Sequence, residues 1–185
     1  MRTNRTPTRF SGIARLLHWF MAAMILCMLF LGVFMAGTVG PAYATSVAIH
    51  RPVGIAILAL ALIRLVNRLI VPQPALPASL PRAQALAAKA SHVLLYTLMI
   101  AMPLIGWGML SAGAYPVVMW GGVHLPPILP HDTALFAGLR RAHTVLACTL
   151  FATILVHIAA ALLHGLILRD GVFPAMASLG SRHRA

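Results

Sequence analysis

Six histidines set in largely apolar stretches are the residues of this sequence best suited to chemistry: His18, His50, His92, His143, His157 and His164. A polar ring is costly to bury without a partner. Neutral imidazole is also a good ligand for iron, including the axial position of a haem. His143 and His157 carry the sharpest pattern, being 14 residues apart. On an α-helix, at about 100° and 1.5 Å per residue, that spacing leaves them within about 40° of one face and about 21 Å apart along the axis. Such a helix offers one imidazole near each surface of a membrane, enough for two haems, one per leaflet. The plainer alternative is that each is a polar helix residue hydrogen-bonded to a neighbour.

The elements that must hold these rings are membrane helices. The stretch Ala142 to Leu168 is 27 residues long without an Asp, Glu, Lys or Arg, ample for a hydrocarbon core about 30 Å thick. Over the whole chain of 185 residues, 61% are hydrophobic and 9% charged, and mean hydropathy is +0.91. Soluble domains carry about 25% charged residues, so the chain is expected to be an integral membrane protein. The apolar pattern predicts an all-α, four-helix bundle in a single domain, with helices at about 13–37, 50–71, 87–112 and 142–168. The basic start leads into an apolar run too long for the core of a cleavable leader, so that run reads as the first helix. Pro52 suits the first turn of the second helix, and residues 38–49 read as a short connection. The run PQPALPASLP from Pro72 to Pro81 is a surface loop. Pro103, Gly106 and Gly108 predict a kink or a close helix contact in the third helix. Residues 113–141, with Trp120, His124, Pro126 and His131, form the longest connection, read as a cap on the membrane surface. Cys27 and Cys148 sit singly in apolar runs and make neither a disulfide framework nor a metal motif.

Fourteen basic residues and only two acidic ones, Asp132 and Asp170, give a formal charge of +12. These charges flank apolar segments, so anionic lipid is a simpler counterpart than nucleic acid. Arg2, Arg5, Arg9, Arg15, Arg64, Arg68, Arg82, Lys89, Arg169, Arg182 and Arg184 fall on one side of a four-helix topology, against Arg51, Arg140 and Arg141 on the other. The excess predicts that both termini are cytoplasmic.

This orientation sorts the histidines by depth. His50 and His143 lie towards the outer surface, and His18, His92, His157 and His164 towards the inner one. The outer axial pair is His50 with His143. The inner pair is His18 with His157, and depth alone leaves His92 and His164 as rivals. With no Cys-x-x-Cys-His stretch, haem would be held non-covalently, as haem b. Arg51, Arg140 and Arg141 stand beside the outer pair. They would meet haem propionates, draw a small anion to the haem edge, or simply contact lipid and water. Arg64 likewise has a propionate or a lipid phosphate as its candidate partner.

The segment Arg15-Leu16-Leu17-His18-Trp19, His50 with Gly54, and the His143–His157 pair resemble the bacterial cytochrome b561 family across essentially the whole chain. Around Pro103-Leu104-Ile105-Gly106 and the run from His157 to His164, the chain is most similar to the superoxide-oxidising members found in bacterial inner membranes. The resemblance implies His18, His50, His143 and His157 as ligands of two haems b. It implies electron flow from superoxide at the outer haem to ubiquinone at the inner one. His92 and His164 would lie beside the quinone as hydrogen-bond or proton-transfer groups, with Arg169 helping at its headgroup. Quinone reduction consumes two protons, and the four predicted helices hold no acid to deliver them. That is why these two histidines matter. Two other readings use the same residues. One is a haem b carrier between the quinone pool and a partner redox enzyme or cytochrome. The other is a haem-free membrane protein whose histidines join helices.

Overall fold

A computed structural model describes residues 9–77 and 80–177. Arg2, Arg5, Arg182 and Arg184 lie outside the described residues. The architecture is an all-α bundle of four apolar helices, each long enough to cross a membrane. Helix α1 spans Gly12–Ala36, α2 Pro41–Ile70, α3 Arg82–Ala112 and α4 Thr133–Leu162, with α4 continuing as a π-helix, Leu163–Leu168. A short helix α5, Val172–Ala177, follows. Between α3 and α4 a small antiparallel hairpin pairs β1, Val117–Val118, with β2, His124–Leu125, around a 3-10 turn at Trp120–Gly122. Backbone packing runs α1 on α2, α2 on α3 and α3 on α4.

Three helices begin earlier than their apolar pattern suggests, and each start has a local cause. α2 starts at Pro41, not near residue 50. Pro41 occupies the first turn, where a missing N–H costs nothing. The polar side chains that follow bond back into the helix, Thr45 Oγ1 to Pro41 O at 3.1 Å and Ser46 Oγ to Ala42 O at 2.8 Å. Residues 41–49 are therefore helix, and Pro52 lies inside α2, buried, where it denies Ala48 O its usual donor. α3 starts directly after Pro81. α4 starts at Thr133 because Asp132 caps it, its Oδ1 accepting from Leu135 N at 2.8 Å. The outer connection is correspondingly shorter than residues 113–141. α3 runs as one helix through Pro103.

Few side chains are buried, because the outward faces are apolar and meet lipid. The core cluster is Met21, Ile25, Ile57, Ala61, Leu98, Met99 and Leu150. On α1 these follow His18, on α2 they lie between His50 and Arg64, on α3 between His92 and Gly106, and on α4 between His143 and His157. The apolar core thus separates two levels of polar side chains, one towards each end of the bundle.

Candidate functional site

The outer level is built by α2 and α4. His50 and His143 face each other with ring centroids 6.3 Å apart and planes at 67°. Nδ1 of His50 is buried without a hydrogen-bond partner, and Nδ1 of His143 approaches only the Met102 carbonyl, without completing a hydrogen bond. A histidine that merely joins helices satisfies its nitrogens within the protein, so neither ring behaves as ordinary packing. Gly106 of α3 gives His143 its place: a Cβ there would stand 3.3 Å from His143 Cε1. Arg51 donates from Nη1 to Pro116 O at 3.1 Å, tying the hairpin to α2, while its Nε is buried without a partner. Arg140 and Arg141 line a cavity of about 550 Å³ with Phe136 and Thr144, immediately above His143 on α4.

The inner level draws on all four helices. His18 of α1 and His157 of α4 also have centroids 6.3 Å apart, with planes at 64°. His92 of α3 stands 5.6 Å from His157. Arg64 of α2 donates from Nη2 to His18 Nδ1 at 2.8 Å. The guanidinium carbons of Arg64 and Arg68 lie 5.6 and 5.7 Å from the centre of the Tyr96 ring. Tyr96 was not singled out from sequence. A lone aromatic in an apolar helix carries no signal until α2 is set against it.

His164 is not part of this cluster. The π-turn places it beside the C-terminal segment, where Nδ1 donates to Asp170 Oδ2 at 2.5 Å. Partial desolvation raises the Asp170 carboxyl, but hydrogen bonds from His164 and from Val172 N–H outweigh this and hold it below its ordinary value of 3.8. Phe173 of α5 packs against Gly165, where a Cβ would stand 3.0 Å from Phe173 Cγ. α5 also meets α1, through Trp19 Nε1 to Met176 O at 3.3 Å and Phe10 N to Ala175 O at 3.2 Å. Arg169 is exposed in a left-handed conformation, its Nε donating to Leu166 O at 3.1 Å. In the outer connection, His131 bonds Ala112 O at 2.9 Å and Trp107 Nε1 donates to Pro126 O at 3.0 Å. His124 is exposed on β2. His131 and Trp107 pin the outer cap to α3, and neither they nor His124 join the His50–His143 level.

Both facing pairs suit a metal held from two opposite sides. At the roughly 2 Å nitrogen–metal bond usual for histidine, two such imidazoles have centroids about 6 Å apart. Both pairs also span helices, α2 with α4 and α1 with α4, that are not among the closely packed ones. Among the described residues no three His, Cys, Asp or Glu side chains converge on one point. The arrangement therefore fits an iron that brings its own equatorial ligands, as haem does.

Comparison with known proteins identifies the family. Residues 9–178 match the family described as prokaryotic cytochrome b561. The chain is also similar to "Cytochrome b561 homolog 2" of Escherichia coli (strain K12), 30% identical over 179 residues that cover 95% of each chain. This chain, a membrane-embedded electron-transfer protein with four spanning helices, belongs to the prokaryotic cytochrome b561 family.

Proposed function

We propose that the protein is a dihaem b electron carrier of the bacterial inner membrane, moving electrons between the quinone pool and a partner redox protein, with both termini cytoplasmic. The observation that carries this reading is the repeat of one 6.3 Å imidazole separation at two levels of the bundle. His50 with His143 would hold the outer haem, and His18 with His157 the inner one. Haem supplies a one-electron iron couple when bound. α4 sets the spacing of the two levels, since it carries one ligand of each. The buried core between them keeps water out of the path. His92, beside His157, and His164, bonded to Asp170, border the site where ubiquinone takes electrons and two protons. Asp170 supplies the acidic group that the four spanning helices lack. Arg169 stands at the level of the quinone headgroup.

A second reading, superoxide oxidation at the outer haem, rests on a specific feature of the outer end. Arg140 and Arg141 line the cavity above His143, and Arg51 keeps a buried N–H without a partner. Cations around a cleft raise the encounter rate of a small anion. One experiment separates the two readings. The purified chain, reconstituted with ubiquinol in lipid, is assayed for haem content and then mixed with a superoxide source in the presence of catalase. The carrier reading expects two haems b per chain, reduced by quinol and indifferent to superoxide. Rapid haem reduction by superoxide, lost in Arg140→Gln/Arg141→Gln while the quinol reaction persists, would establish the oxidase instead. A wild-type chain that purifies without haem sinks both. Replacing His143 or His18 by Ala is expected to take the haem count from two to one, and His92→Ala to leave it at two.

A further inference from the structure

Arg64 and Arg68 are two guanidiniums one turn apart on α2, inside the bundle, with both heads on Tyr96. Like charges at that spacing repel, and a cation at membrane depth is costly unless an anion meets it. The chain cannot provide one from its acidic side chains. It has two, and Asp132 caps the outer start of α4 while Asp170 accepts from His164. Tyr96 offers a polarisable ring face, which eases the burial of each cation without neutralising it. An anion from outside the protein must complete the site.

The contact between Arg64 and His18 indicates where that anion sits. A guanidinium only donates, so His18 Nδ1 accepts and a neutral ring carries its proton on Nε2. A ring that coordinates iron through Nε2 carries its proton on Nδ1 instead. Two donors would then face each other, and the Arg64 head needs a new acceptor within its own reach. We infer that Arg64 and Arg68, braced on Tyr96, form a clamp for the two propionate carboxylates of the haem held by His18 and His157. The inference rests on the dihaem reading above. Tyr96 is a positioning residue here, since it touches the arginines and not the iron. The clamp also makes the two haems unequal. Carboxylates neutralised by arginine no longer stabilise ferric iron by their negative charge, so the inner haem is the easier of the two to reduce through this contact.

The same oxygen-anion chemistry could come from a lipid phosphate, and the test tells the sources apart. Wild type, Arg64→Gln, Arg68→Gln, Arg64→Lys, Tyr96→Phe and Tyr96→Leu are purified as full chains in a zwitterionic detergent. Haem per chain, co-purified phosphorus and the two midpoint potentials by optical redox titration are then measured. The clamp expects Arg64→Gln and Arg68→Gln to lower one midpoint potential, or to lose that haem and take the count from two to one. The other haem's band and potential stay unchanged, which shows the bundle is folded. Arg64→Lys should recover the haem with an intermediate potential. Tyr96→Phe, which keeps the ring face and loses only the hydroxyl beside Arg64, should keep both haems, and Tyr96→Leu should behave as the weaker of the arginine variants. Unchanged haem content and potentials in both arginine variants, with loss of bound phosphorus, would assign the pair to a phospholipid and overturn the clamp. Unchanged potentials with no loss of phosphorus would overturn it too. A wild type without haem would instead refute the dihaem reading on which the clamp rests.

Discussion

Gly106 shows how finely a side chain at the outer level is placed. A methyl group added there would meet His143 Cε1 at 3.3 Å, so the ring must give by a few tenths of an ångström. Gly106→Ala is expected to keep both haems with a shifted outer midpoint potential. Gly106→Val, which adds bulk the ring cannot yield to, should lose the outer haem and retain the inner one. Haem content and the number of components in a redox titration read both outcomes. Much at this scale is legible in the sequence. The 14-residue interval between His143 and His157 fixes a common face because α4 is regular over that whole interval. His50 and His18 follow once helix direction is known. Tyr96 was hidden, because its importance comes from Arg64 and Arg68 on another helix. The partnership of His164 with Asp170 was hidden for a different reason. Six residues separate them, and the intervening π-turn and left-handed Arg169 leave no periodic trace.

Elements were easier to count than to bound. Four apolar runs announce four helices, but α2 and α4 start earlier, in stretches where Pro, Thr, Ser and Gly, and in α4 Arg140 and Arg141, interrupt the apolar run. Two prolines competed for the start of α2, and Pro41, not Pro52, holds it. The segment after α4 has only a short apolar run, VFPAMA, far too short to announce a membrane helix, yet it folds back as α5 under the bundle. Its attachment is titratable. Because the folded Asp170 carboxyl lies below its ordinary value, the contact stabilises the folded end fully above that value, about 3.8, and is lost as pH falls through the lower, folded one. Trp19, bonded to Met176 O, is the local reporter. Its fluorescence should be flat across neutral and mildly acidic pH and change only in strong acid. Asp170→Asn should show the acid-type spectrum already at neutral pH, and a spectrum identical to wild type would refute this account of α5. Gly165→Ala should disturb the same end, since Phe173 Cγ is 3.0 Å from the added atom; overpacking of that kind costs about 1–3 kcal/mol.

At the scale of the whole molecule, charge decides how the bundle sits. Among the described residues, seven of the ten basic side chains fall on the side of the two termini by the order of the helices, and loops rich in Arg and Lys stay in the cytoplasm. A C-terminal fluorescent-protein fusion should therefore be bright, and a C-terminal alkaline phosphatase fusion inactive. The reverse result would invert every depth assignment made above, exchanging the donor and acceptor ends. The spanning helices carry no carboxylate, so the bundle has no internal counter-charge for its cations and depends on what it binds for electrical balance.

α4 holds His143 and His157 on a single unbroken helix, and on the dihaem reading this restricts how that stretch can change in length. One residue inserted between them in a regular helix would swing one ring by about 100° around the axis and move it by about 1.5 Å, away from its partner. On the dihaem reading, a one-residue insertion between His143 and His157 is expected to take the haem count from two to one. On that reading the residues between the two rings can vary in type, while their number is a fixed measure.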